Sequence, residues 1–164
     1  MNRMRTLSAA RRLRPVVVFV ALAWLGLGSS ARAALGGDAA SIDADRIHMA
    51  ATVASTVYAG YTAYVLTLPN HGIVNEYLDA QGQVFAISWR GPGRPDLRQL
   101  LGARFDTMQS DNAPGSAHPR RRRSPMTVNR ADFVMHNEGR PGAFGGAAYL
   151  PQAVPAGFSL SDIE

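Results

Sequence analysis

The chain has 164 residues, with 17 basic side chains, all arginine, against 12 acidic ones, for a formal charge of +5. Its lack of cysteine excludes disulfides, a thiol nucleophile and a lipid anchor on cysteine. Its lack of lysine leaves nothing to reach a phosphate from a glycine-rich loop, and its charge is too unevenly spread to be read as a nucleic-acid signal over the whole chain.

The first residues explain the unevenness. Arg3, Arg5, Arg11, Arg12 and Arg14 precede a short apolar run from Val16 to Leu27, and small residues follow, with Ala31 and Ala33 in A-x-A spacing. About a dozen apolar residues cannot cross a hydrocarbon core of roughly 30 Å as a helix. The pattern predicts a signal peptide over residues 1–33, cut between Ala33 and Ala34. An uncleaved anchor is the competing reading, and the residues around Arg11-Arg12 fit twin-arginine export poorly. Removing residues 1–33 takes away six arginines and no acid, leaving 11 arginines against 12 acids. The remaining chain, residues 34–164, is expected to be one exported domain in the periplasm or outside the cell. No transmembrane span is expected in it after cleavage.

Along that chain, residues 34–40 are small and read as poorly ordered. Ser41 is a candidate cap, with Asp43 and Asp45 in the first turn of a helix over about 42–56, where Ile47, Ala50, Ala51, Ala54 and Val57 recur at helical spacing. Tyr61 to Leu68 reads as a strand and PNHG at 69–72 as a turn. Two strand-like runs then flank Asp79-Ala80-Gln81-Gly82, the chemistry of a type I turn closed by a left-handed glycine. If Asp79 faces Gln83, then Tyr77 faces Phe85 and Ile73 faces Trp89. That face is expected to be buried, leaving Glu76 and Ser88 on a wetter one.

GPGRP at 91–95 breaks the strand. Leu97, Leu100, Leu101, Phe105 and Met108 form the stripe of a helix over about 95–108, with Gly102 unfavourable inside it. Residues about 109–127 are almost devoid of apolar side chains and read as a long loop. ADFVMH and GAFGGAAYL read as two more strands joined by NEGRPG. The expected class is α+β, with a small antiparallel sheet of about four to five strands and two helices packed on one face.

Chemistry is hard to find. The four histidines, His48, His71, His118 and His136, show no metal-ligand spacing, no nucleophile elbow is present, and no cofactor or metal is expected. His71, Asp79 and Glu76 around the hairpin are the candidates for a hydrolase assembled only by the fold. The most conspicuous feature is Arg120, Arg121, Arg122 and Arg123. Residues 90–130 hold nine arginines and three acids, whereas residues 34–89 hold one arginine and five acids. In an exported protein this cluster has no nuclear or intracellular nucleic-acid role. It reads as a solvated or protease-sensitive loop, or as a contact to an anionic envelope or matrix polymer, because the arginine fork takes phosphate and carboxylate in a bidentate way.

Val74, Glu76, Tyr77, Asp79, Gly82, Val84 and Phe85 in the hairpin, then Trp89-x-Gly91-Pro92 and Pro95-Asp96-Leu97-x-x-Leu100-Leu101-Gly102, form an ordered run. With AFGGAAYLPQAVPAG near the end, the chain resembles the bacterial secreted proteins of the domain of unknown function 2844 family. The resemblance covers most of residues 34–164 and leaves the arginine cluster outside its pattern. It implies export and domain extent, and no activity. The reading of function is therefore a small exported binding or accessory protein, non-catalytic, with its ligand unidentified. An enzyme of the hydrolase type is the alternative.

Overall fold

A computed structural model describes residues 34–115 and 125–163. The predicted cleavage residue Ala33 and the Arg120–Arg123 cluster lie outside these described residues; Ala34 lies within them. Helix α1 (Ala39–His48) leads into strands β1 (Thr52–Tyr58), β2 (Tyr61–Thr67), β3 (Ile73–Asp79) and β4 (Val84–Gly91). Helices α2 (Leu97–Leu101) and α3 (Ala103–Asp111) follow, then β5 (Met126–Asn129), β6 (Val134–Arg140) and β7 (Ala143–Tyr149), and two short 3-10 turns end the chain. All strands join one antiparallel sheet of seven, in the order β1-β2-β3-β4-β7-β6-β5.

The expectation of four to five strands and two helices is therefore corrected to seven strands and three helices among the described residues. Each difference has a local cause. Alanines at helical spacing suggested that the first helix runs on to about 56. The chain instead leaves α1 at Met49 and turns through Ala50, which has φ +50°. The β-branched run Thr52, Val53, Thr56 and Val57 then prefers an extended backbone and pairs across a tight turn with β2. β5 grows from the far end of the stretch read as loop, Met126 pairing with Asn137 and Val128 with Met135. The predicted second helix is two helices because Gly102 adopts φ +51° and ψ −125°, outside helical geometry. Asp96 caps α2 through the N–H groups of Arg98 and Gln99, at 3.0 and 3.1 Å.

The start of the described chain also departs from expectation. Residues 34–37 are stitched down: the Leu35 N–H donates to Leu100 O at 3.1 Å, Gly36 N–H to Val84 O at 2.8 Å, and Val84 N–H to Gly37 O at 2.9 Å. Asp38, not Ser41, caps α1.

The hairpin turn forms as its residues dictate, with the Asp79 carboxylate accepting from Gln81 and Gln83 N–H at 2.9 and 2.8 Å and Gly82 at φ +83°. Beyond the turn the register slips. A bulge lies where Leu78 pairs with Val84 and Tyr77 with Ala86, leaving Phe85 as the extra residue. Val74, not Ile73, then faces Trp89, and Glu76 faces Ile87. The slip moves Ile87 and Trp89 onto the face of Glu76 and Ser88 onto that of Tyr77, and both faces are covered, with Tyr77 and Phe85 still buried. Glu76 is fully buried, in a row Tyr64–Glu76–Ile87–Ala148–Met135–Val128 that runs across six strands.

That row and its neighbour, containing Leu66, Val74 and Trp89, form a core with Leu35, Ile42, Leu97, Leu100, Leu101 and Met108 from the N-terminal segment and the helices. The opposite face is covered by the C-terminal segment. Phe158 lies edge-on to Phe85 (4.8 Å between centroids), Tyr61 (5.0 Å) and Tyr77 (5.2 Å), and Ile163 is buried beside them. No helix among the described residues is long and apolar enough to cross a membrane.

Candidate functional site

Three segments meet at one end of the sheet: the β2–β3 turn with His71, the end of β4 with Arg90 and Gly91 and the stretch after it with Arg94, and the β6–β7 hairpin with Arg140. Between them lies an open groove of about 1280 Å³. It is larger than the roughly 300–1,000 Å³ usual for small-molecule pockets and has the open form that suits an extended ligand.

The local sequence explains the walls. His71 sits at φ +63°, a left-handed conformation uncommon for a non-glycine residue, held by its N–H donating to Leu68 O at 2.9 Å. A Cβ on Gly91 would come within 2.6 Å of the Gly72 backbone, so glycine there allows two turns to touch. Asn137, on the floor, accepts from the Trp89 indole N–H at 3.2 Å and so ties the groove to the core.

The arginines divide cleanly. Among the described residues Arg46 pairs with Asp43, Arg98 with Asp106, Arg104 with Asp132 and Arg130 with Asp111. The other three, Arg90, Arg94 and Arg140, make no ion pair and all line the groove. Arg94 also lies over the Phe144 ring, 5.4 Å from its centroid. The acid on the rim, Glu138, stands 3.5 Å from His136.

The other concentration of charge is sealed inside. Asp45 of α1 and Glu76 of β3 are both fully buried. Burial pushes the Asp45 carboxyl up to about 6, against the opposing pull of the Gln99 hydrogen bond and the His48 ring. Burial and then the neighbouring Asp45 charge push Glu76 up to about 8. Shifted carboxyls often mark active sites, but neither residue lines the groove or the smaller hollow of about 450 Å³ beside α2 and α3.

The three residues named for a hydrolase are not brought together. His71 is on the groove, the Asp79 carboxylate is spent on its own turn, and Glu76 lies under the helices. His48 meets Asp96 at 3.2 Å, and no three histidine or acidic residues among those described converge as metal ligands. Sequence reasoning missed both Arg90, Arg94 and Arg140 and the buried pair. The first had a signal in arginines set among glycine and proline at strand ends. The second had one in Val74-x-Glu76-x-Leu78, where the acid shares a strand face with two apolar residues.

Fold and groove thus define a small protein built on an antiparallel sheet with a basic groove at one end. Its family model matches residues 31–163, and the chain belongs to the family described as protein of unknown function (DUF2844). No curated protein and no solved structure matches the chain.

Proposed function

We propose that this is an exported, non-catalytic binding or accessory protein whose groove holds an anionic envelope or matrix polymer through Arg90, Arg94 and Arg140. The observation that carries the reading is the division of the arginines. Four of those described are matched to carboxylates, and the three that are not share one open groove. Unpaired guanidinium groups on a concave surface favour phosphate or carboxylate ligands, because their forked donors match those oxygens. Pro125, the first residue described after the arginine cluster in the sequence, also lines the groove. Export follows from the leader pattern, with cleavage after Ala33.

The test is direct titration of the purified protein with a uronic-acid polysaccharide and with a phosphorylated one, over a range of salt. Saturable binding that weakens as salt rises is expected, because each arginine contact releases counterions. An absence of binding at low salt overturns the reading.

A further inference from the structure

The buried carboxylates lack a counter-ion that the chain itself can supply. Ala34 is fully buried, and its backbone N–H is close enough to the Asp45 carboxylate to favour its charged form. Its position is fixed by the backbone bonds of residues 35–37 to α2 and β4. Asp45 of α1 is the acid it meets; Gln99 of α2 acts on Asp45, Glu76 of β3 is near enough to Asp45 to feel its charge, and His48 and Asp96 also act on Asp45. Gln99 donates to Asp45 Oδ1. Asp45 Oδ2 and both carboxyl oxygens of Glu76 are buried without a hydrogen-bond partner. Orphaned polar atoms of this kind are rare in native interiors.

As an internal amide, Ala34 offers one N–H and no charge. As a chain terminus it would offer three N–H donors and a positive charge. We propose that cleavage between Ala33 and Ala34 seats the new α-ammonium of Ala34 against Asp45, within the field of the Asp45–Glu76 pair, as a buried ion pair, so that removal of the leader completes the core. This rests on the export reading above. It gives the two acids a role that needs no access from solvent. It also ties the fold to one cleavage position, because a terminus one residue longer puts a neutral amide where the charge belongs.

The composition provides the test. With no lysine anywhere in the chain, the α-amino group is the only amine of the cleaved protein. The full chain is expressed in an exporting bacterium, and the exported product is weighed intact and then treated with an acetyl succinimidyl ester at pH 7, folded and in urea. The expected mass is that of residues 34–164. The expected folded-state acylation is at least about 100-fold slower than in urea, since a rise of two units in the amine pKa alone gives that factor. Asp45→Asn and Glu76→Gln, which keep shape and remove charge, should each speed folded-state acylation at least about tenfold. Equal rates in the folded and unfolded wild type overturn the ion pair. A different N-terminus overturns the processing reading beneath it, and the intact mass alone reports this before any acylation.

Discussion

Under the helices, Asp45 and Glu76 are fully buried, and three of their four carboxyl oxygens have no partner. At the end of the sheet, Arg90, Arg94 and Arg140 are as poorly partnered, but they are exposed around an open groove. The physical consequences differ because solvation differs. A buried carboxyl gives up its charge or acquires a counter-ion, since desolvating an unpaired ion costs several kcal/mol. An exposed guanidinium stays charged and hydrated, which leaves it free to exchange water and counterions for a ligand. Unmatched charge inside this protein therefore bears on folding, and unmatched charge at the sheet end is what the proposed binding would use. Trp89 joins the two regions, being packed in the helix-side core while its indole holds Asn137 of the groove floor.

The largest effect should come from cutting that link. Trp89→Ala empties a core position that is 3% exposed and should cost about 3–5 kcal/mol, read as a fall in the midpoint of urea unfolding. If the midpoint holds while polysaccharide binding is lost, Trp89 belongs to the binding surface alone and the division between the regions fails.

Next comes the pH response of the interior. With Ala34 an internal amide, burial raises Asp45 to about 6 and Glu76 to about 8, against ordinary values of 3.8 and 4.5, and a chain acetylated at Ala34, which also offers only an amide, is expected to keep both raised. A carboxyl whose value rises on folding contributes stability that is complete below its unfolded value and is lost as pH climbs through the folded one. The acetylated chain should therefore lose stability steadily between about pH 4 and pH 8. The unblocked chain, with an ammonium facing the pair, should lose much less. His48 and Asp96, the other titrating groups acting on Asp45, are the same in both and cancel in the comparison. Parallel curves would contradict the account of the interior.

A smaller change sharpens the link. Trp89→Phe keeps most of the ring and removes the N–H, leaving the buried Asn137 Oδ1 without this donor. The expected cost is about 1–3 kcal/mol, with a further loss of polysaccharide affinity because Asn137 lines the groove.

These regions were unequally legible in the sequence. The hairpin turn was readable from Asp79 and Gly82, because both act within a few residues of themselves. β2 was readable from its β-branched and aromatic content. The bulge at Phe85 was not, since nothing local distinguishes an extra residue from a paired one, and that single slip moved Ile87 and Trp89 onto the face of Glu76. β1 was hidden by alanines whose spacing fits a helix but whose neighbours prefer a strand. The groove was hidden for another reason. Its arginines come from segments up to 50 residues apart, and whether each has a carboxylate partner is decided only by the fold.

The most direct measurement contrasts two charge-matched triple variants in polysaccharide titrations over a salt series. Arg90→Ser, Arg94→Ser and Arg140→Ser combined should leave stability within about 1.5 kcal/mol, at about 0.5 kcal/mol for each exposed change, while weakening binding and flattening its salt dependence by roughly 3 in slope. Arg46→Ser, Arg98→Ser and Arg130→Ser together remove the same charge from paired positions and should leave both nearly unchanged. Equal losses in the two variants would mean that net charge, not the groove, governs binding, and would contradict the account.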